Sequence, residues 1–289
     1  MRVDRPLAAF FAGAFAIAYG SAWGLSAIAA SSGFDSWSEL NDLAEVWGLA
    51  PYADQLVVPR ALVYALSRAA DFAFSIAGVV AIAATAGVSG LRELGARLVR
   101  FRVSWRGYAF ALGLPLGLYA LSVVVTALGD PAIAASATFS PTLVWTLLLS
   151  PHAGLLFYAL TRGGLGEELG LRGFALPRLL DRHAPLRASL WLGLFWGLWH
   201  LPILIGRPPV AVIAFLLATL AYSVVFTWLF LRTRRSLVPV ILLHAANNSF
   251  DDAFEAVFPA LVDVGWETPF VVGVLLTGIA VAIALRRST

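Results

Sequence analysis

Three groups of polar residues interrupt the long apolar stretches of this sequence. Ionisable side chains are costly at membrane depth, and they usually face the interior of a helix bundle or a water-filled cavity. Two carboxylates, two imidazoles and an amide together could supply a general base and hydrogen-bond donors, which is the chemistry of hydrolysis. We therefore interpret the three groups as a candidate hydrolytic site. They are Glu167-Glu168-x-x-x-Arg172, the histidine of Phe-Trp-Gly-Leu-Trp-His200, and His244-x-x-x-Asn248.

The two glutamates are predicted to play different parts. On a helix, Glu168 and Arg172 lie four positions apart with the acid first, which is the favourable orientation for an ion pair. Glu167 points about 100° away and has no basic residue four positions further on. It is the freer carboxylate and the better candidate for a general base. The spacing leaves one alternative open, an ion-pair cluster at the cytoplasmic edge of a span.

The histidines and the asparagine come from two other apolar segments. His200 follows an aromatic-rich run and precedes Pro202, which is expected to loosen the local backbone. His244 and Asn248 lie one turn apart on one helical face, so both could donate to a single oxygen. Asn247 lies about 100° off that face, and we expect it to take no part. The structural alternatives are a core histidine at His200 and an interhelical hydrogen bond for the pair.

Composition places the chain in a membrane. Of its 289 residues, 60% are hydrophobic and 13% are charged, whereas a soluble domain has about 25% charged residues. The absence of cysteine excludes a disulfide framework, a thiolate metal site and a cysteine nucleophile. All basic residues are arginines, and they lie mainly at the ends of apolar runs. This placement fits orientation in a membrane, and we expect no nucleic acid partner.

The predicted fold class is all-α, a polytopic membrane bundle with about eight transmembrane helices. A spanning helix needs about 20 mostly apolar residues. With no evident internal repeat or linker, we interpret residues 1–289 as a single membrane domain with a motif-bearing core at about 140–250. A short helix is expected over Pro141–Ser150, ahead of Pro151. The fifth and seventh candidate spans are short by this count and are expected to extend by a few residues. The candidate spans are Leu7–Ala30, Ala69–Val88, Tyr108–Leu128, His152–Leu176, Ser189–Ile205, Val210–Leu231, Leu237–Phe250 and Pro269–Leu285.

Charge alternates between successive connecting segments. Arginines follow the second, fourth and sixth predicted spans and lie at both ends of the chain. Residues 31–57 and 251–267 contain acidic residues and no basic ones. By the positive-inside rule, both termini are predicted to be cytoplasmic, in a bacterial cell membrane. Arg60, Arg68 and Arg207 are exceptions on the outer side.

The three motifs, in this order and spacing, resemble the CPBP family, the CAAX-protease and bacteriocin-processing membrane proteins. That family includes the Ras-converting CAAX endopeptidase of eukaryotes and many bacterial abortive-infection-type proteins. The resemblance covers about residues 140 to 250 and includes the His-Leu-Pro run at His200–Pro202. One departure is visible four residues before the first histidine. The family usually has phenylalanine there, whereas this chain has Trp196 with Phe195 beside it.

The resemblance implies an intramembrane endopeptidase that acts on a membrane-associated peptide or protein, lipidated or amphipathic. Lipid bilayer and substrate are the expected partners. The roles it implies are water activation by Glu167 and His200, oxyanion stabilisation by His244 and Asn248, and support of the site by Glu168 and Arg172.

A zinc peptidase is the alternative within hydrolysis. The chain lacks the His-Glu-x-x-His helix that supplies two imidazoles and a base. A zinc ion would need Glu167, His200 and His244 from separate spans, and Asn248 would be a poor fourth ligand. We therefore expect a glutamate-dependent site without metal, with zinc as the alternative cofactor.

Two further classes of function remain as alternatives. In a transporter or channel, the same polar residues would bind ions or relay protons, but the internal repeats of many transporters are not evident. A non-catalytic immunity or scaffold protein could keep the same fold. The presence of every candidate catalytic residue is evidence against that alternative.

Overall fold

The computed structural model describes residues 4–45, 49–138, 145, 148–149, 154–261 and 267–287. Within these ranges the chain forms helices and helical turns and no strand, which confirms the predicted all-α class. The Pro141–Ser150 helix falls largely outside the described residues. A π-helical turn, Leu171–Ala175, lies between the helices Gly163–Gly170 and Leu176–Leu180. The α-helices are α1 Arg5–Ser32, α2 Trp37–Glu45, α3 Arg60–Asp71, α4 Ala73–Leu98, α5 Trp105–Gly129, α6 Pro131–Ala135, α7 Leu155–Thr161, α8 Gly163–Gly170, α9 Leu176–Leu180, α10 Pro185–Trp199, α11 Leu201–Leu204, α12 Pro209–Arg232, α13 Val238–Val257 and α14 Glu267–Arg287.

Local sequence explains where the first long helix begins and ends. The Asp4 side chain accepts a hydrogen bond from the backbone N–H of Leu7 at 3.1 Å and so caps α1. Pro6 lies in the first turn, where its missing N–H costs no hydrogen bond. At the other end Gly33 adopts a left-handed conformation (φ 78°) that suits glycine.

Five helices of the described chain are long and apolar enough to cross a membrane, namely α1, α4, α5, α12 and most of α14. Large apolar side chains remain exposed along them, such as Val80 on α4, Leu128 on α5 and Ile279 on α14. Exposure of so many large apolar side chains to water is unfavourable, whereas their contact with lipid tails is not. The protein is therefore an integral membrane protein.

The fourth predicted span is not a continuous helix, the fifth ends earlier than predicted, and the seventh extends as expected. Instead of a continuous helix at His152–Leu176, α7 ends at Thr161, Arg162 is extended (φ −130°, ψ −144°), and α8 begins at Gly163. The glycine pair at this break makes a continuous helix less favourable. Helix α10 ends at Trp199 rather than at Ile205, and α13 continues to Val257. Broken helices occur at membrane depth where their backbone is buried in protein.

Close helix packing holds the broken segment in place. A Cβ added to Gly78 of α4 would lie 2.6 Å from the Cα of Gly170, and one added to Gly166 would lie 2.5 Å from the carbonyl oxygen of Asp71. Small residues thus let α4 and the end of α3 approach the backbone of α8, as in many membrane helix pairs. On its other side α8 packs against α13. The two glutamates of α8 are therefore enclosed by neighbouring helices.

The main apolar core lies beside these residues. Phe10 of α1 contacts Phe74 of α4 and Phe174 of the π-helical turn, with ring centroids 5.9 and 5.1 Å apart. All three side chains are buried. This aromatic cluster fixes the π-helical turn against α1 and α4, because a close-packed core tolerates little displacement.

Candidate functional site

The two glutamates are buried at the end of α8. Glu167 is 5% exposed, and Glu168 and Arg172 are 0% exposed. Arg172 lies in the π-helical turn, and its Nη1 donates a hydrogen bond of 2.7 Å to Glu168 Oε1. The predicted Glu168–Arg172 ion pair is confirmed. The π-helical turn itself was not predicted, and such turns often occur at functional sites.

His244 bridges the two carboxylates from α13. Its Nδ1 lies 2.8 Å from Glu168 Oε1, and its Nε2 lies 3.7 Å from Glu167 Oε1. A carboxylate oxygen accepts hydrogen bonds, so Nδ1–H of His244 donates to Glu168. The second ring nitrogen is thereby directed towards Glu167.

At Gly163 the backbone of α8 comes very close to the His244 ring. A Cβ at this position would lie 2.2 Å from His244 Nε2 and 2.7 Å from Cδ2. Only a residue without a side chain fits there. The break between α7 and α8 therefore brings the chain directly against the imidazole.

Trp196 makes a contact that the sequence does not predict. Its indole N–H donates a hydrogen bond of 2.6 Å to Glu167 Oε2. The indole ring lies 4.7 Å from Cζ of Arg172, and the ring of Phe226 lies 4.3 Å from the same atom. The guanidinium thus contacts two aromatic rings. The only signal in the sequence was that tryptophan replaces the phenylalanine usual at this position.

His200 lies at the C-terminal end of α10. Its Nδ1 is 2.8 Å from the carbonyl oxygen of Trp196. Since a carbonyl oxygen accepts, Nδ1–H donates and the lone pair of a neutral ring lies on Nε2. The His200 ring also contacts the rings of Trp199 and Phe215, at centroid distances of 4.7 and 5.1 Å.

Asn248 lies one turn beyond His244 on α13. Its Oδ1 accepts a hydrogen bond of 3.1 Å from Nδ2 of Asn247. This contact leaves the Asn248 amide N–H₂ as a donor. Asn247, expected to take no part, orients the neighbouring amide instead.

Four of the six predicted site residues are therefore in direct contact with one another. Glu167, Glu168, Arg172 and His244 form one buried cluster. His200 is connected to it through Trp196, whose ring centroid is 6.0 Å from that of His200 and 5.6 Å from that of His244. Asn248 is positioned by its place on α13.

A second polar network stabilises the interruption between α7 and α8, next to the site. Arg162 Nη1 donates to the Tyr158 hydroxyl at 2.6 Å, and that hydroxyl donates to Asp252 Oδ2. Arg68 of α3 donates to the carbonyl oxygen of Thr161 at 2.9 Å. Helix α7 is thus attached to both α13 and α3, which limits movement of the broken segment relative to His244.

The donor atoms of the site do not match the ligand set of a catalytic zinc ion. Within the described ranges, no group of three or more His, Cys, Asp and Glu side chains is arranged to hold a metal. Glu168 Oε1, Glu167 Oε2 and His244 Nδ1 are all engaged in hydrogen bonds. The remaining close pair, Glu167 Oε1 and His244 Nε2, supplies two protein ligands, whereas catalytic zinc sites have three.

The region of the chain that contains these residues is similar to known proteins. Residues 149–250 match the family of Rce1-like type II CAAX prenyl endopeptidases. A curated relative, the CAAX prenyl protease 2 of Methanococcus maripaludis, is 32% identical over 92 residues. The aligned part covers 28% of this chain and 34% of the relative, so the chain spans about a third of that protein's length. All three polar clusters lie in the matched range, which confirms the resemblance of this part of the chain to the CAAX-protease-like membrane proteins.

Proposed function

We propose that this protein is an intramembrane endopeptidase that hydrolyses a peptide bond of a membrane-associated peptide or protein, with Glu167 as the general base. One observation carries the proposal. Glu167 is buried with Oε2 held by Trp196, while Oε1 lies 3.7 Å from His244 Nε2. A buried, oriented carboxylate with one available oxygen can hold and deprotonate a water molecule.

The neighbouring glutamate has a different role in this proposal. Glu168 Oε1 is occupied by both Arg172 and His244. It balances the charge of the guanidinium and fixes the imidazole, so it positions His244 rather than contacting the substrate.

The proposed reaction begins when Glu167 takes a proton from water. His200 Nε2, whose lone pair is available, accepts a hydrogen bond from the same water and assists this step. The oxygen of the water bonds to the carbonyl carbon of the peptide, and the carbonyl oxygen becomes an oxyanion. Glu167 then returns the proton to the amide nitrogen as the C–N bond breaks. The products are a carboxylic acid and an amine, and no further reactant is needed.

His244 and Asn248 are the proposed oxyanion donors. The Asn248 amide N–H₂ is left as a donor by its contact with Asn247. For His244 to donate from Nε2, its ring must carry protons on both nitrogens, and the Glu167 and Glu168 carboxylates together offset the charges of this ring and of the Arg172 guanidinium. A donor of this kind typically contributes about 3–4 kcal/mol of transition-state stabilisation.

The proposed substrate class follows from the location and the relatives. The site lies among helices whose exterior is apolar, so a substrate must reach it from the membrane or its surface. The similarity to a CAAX prenyl protease supports a lipidated peptide as the first substrate to test.

Cleavage of a farnesylated CAAX peptide by purified protein in lipid nanodiscs tests this proposal. We expect the wild type to cleave the peptide and Glu167→Gln to lose at least 100-fold in kcat, an order-of-magnitude estimate for removal of a general base. The matched control is Glu93→Gln, because Glu93 is an exposed glutamate of α4 that pairs with Arg97. Full activity of Glu167→Gln would refute the assignment of the base. No cleavage of farnesylated or unmodified membrane peptides by the wild type would favour the non-catalytic alternative.

A further inference from the structure

The Trp196 side chain lies beside four residues of the candidate site. Its side chain is 7% exposed. The indole N–H donates to Glu167, and the ring contacts the Arg172 guanidinium. The same ring lies 5.6 Å from the ring of His244 and 6.0 Å from that of His200.

The two kinds of contact depend on different parts of the side chain. Contact with Arg172 requires an aromatic face, which phenylalanine also has. The hydrogen bond to Glu167 requires the indole N–H, which phenylalanine lacks. Phenylalanine at this position would therefore leave Glu167 Oε2 buried without its donor, and a buried carboxylate oxygen without a partner is costly.

The bond also determines which oxygen of the base faces the reaction. Because Trp196 occupies Oε2, the carboxylate cannot rotate without breaking this bond. Oε1 is thereby kept on the side of His244 Nε2. A general base works only when its acceptor oxygen is within hydrogen-bond reach of the water, so a fixed rotamer increases the fraction of productive encounters.

We propose that Trp196 is a positioning residue whose indole N–H holds Glu167 in the orientation needed to activate water. This inference rests on the proposed function of Glu167 as a general base. Trp196 acts through Glu167 and does not itself contact the substrate. In this chain the indole supplies a donor that a phenylalanine at the same place cannot supply.

The first experiment distinguishes the contribution of the indole N–H from that of the aromatic ring. Trp196→Phe keeps an aromatic ring, and replacement of Trp196 by 3-benzothienylalanine keeps nearly the whole shape but has sulfur in place of N–H. We expect both to lower kcat by about 10- to 100-fold, the size expected for a hydrogen bond to a charged group. KM is expected to stay within about twofold, because the bond orients the base without binding substrate.

The control for the first experiment is Trp191→Phe. Trp191 lies on the same helix, is 39% exposed and stacks only loosely on Phe195 (6.5 Å). It should keep wild-type kcat. Full kcat in both Trp196 variants, or a raised KM with unchanged kcat, would overturn the positioning role. The benzothienyl variant preserves the packing volume, so it remains a test even if Trp196→Phe fails to fold.

The second experiment does not depend on proteolysis. In protein labelled with ¹⁵N-tryptophan, the indole N–H signal of Trp196 is identified by its absence in Trp196→Phe. We expect this signal to shift in Glu167→Gln, where a neutral amide replaces the carboxylate acceptor, and to stay in place in Glu93→Gln. Cleavage with an unmoved signal would overturn the positioning role alone. A shifted signal without cleavage by the wild type would overturn the proposed function, and with it any catalytic use of the contact.

Discussion

Gly163 and His244 meet so closely that a single methyl group would not fit between them, since a Cβ at Gly163 would lie 2.2 Å from His244 Nε2. The other ring nitrogen donates to the fully buried Glu168. The imidazole is therefore confined on two sides, by a backbone without a side chain and by a carboxylate. This relationship explains why α8 begins with a glycine.

Gly163→Ala is expected to displace His244 and so to lower activity and stability together. Overpacking of this kind costs about 1–3 kcal/mol, and a shifted oxyanion donor should reduce kcat by at least tenfold, by analogy with the loss of one donor. Thermal unfolding and cleavage of the farnesylated peptide measure the two effects. Gly117→Ala is the control, because a Cβ there meets nothing within 4 Å. Wild-type kcat in Gly163→Ala would contradict the proposed role of His244.

Glu168→Gln is expected to lose both activity and thermal stability. Arg172 is fully buried, and removal of its partner leaves an uncompensated charge, which costs about 3–5 kcal/mol. Glu93→Gln, at an exposed pair, should change stability by about 1 kcal/mol or less. Thermal unfolding in detergent compares the two variants.

A double replacement separates the two effects of Glu168. In Glu168→Leu combined with Arg172→Met, neither partner leaves a buried charge behind, so most of the lost stability should return. Activity should not return, because His244 Nδ1 would still lack its acceptor. Recovery of activity in the double variant would show that the pair has no part in positioning His244.

The membrane orientation can be tested directly, because the chain has no cysteine of its own. Val99 and Gln55 are both exposed positions for single cysteines. Val99→Cys is expected to be labelled by a membrane-impermeant maleimide from the cytoplasmic side, and Gln55→Cys from the opposite side. Two contacts bring segments together that are all predicted to be cytoplasmic. Arg100 donates to the carbonyl oxygen of Arg234, and Arg182 pairs with Asp4. Cytoplasmic labelling at Gln55 would refute the predicted topology.

Metal dependence is the last prediction. If Glu167 is the base, His200 and His244 are the remaining strong ligands, which are too few for a tight zinc site. Purified protein should contain much less than one metal ion per chain and should keep its activity after strong chelation. Stoichiometric zinc, with activity lost on chelation and restored by zinc, would show that Glu167 or a neighbour is a ligand.

The sequence by itself determined the features that depend on composition and on local spacing. A hydrophobic fraction of 60% was enough to predict a helical membrane protein, because few other folds satisfy the backbone in lipid. The Glu168–Arg172 pair was predictable because residues four apart on a helix are neighbours wherever the helix lies.

Tertiary structure alone decided the contacts between helices. The Trp196–Glu167 bond joins residues 29 positions apart and the His244–Glu168 bond joins residues 76 apart. Such contacts depend on the rotation, depth and crossing of each helix, which local periodicity does not specify. The break at Gly163 was missed for the same reason. Residues 152–176 are apolar enough for one span, and the need for close approach to His244 appears only once α13 is packed beside α8.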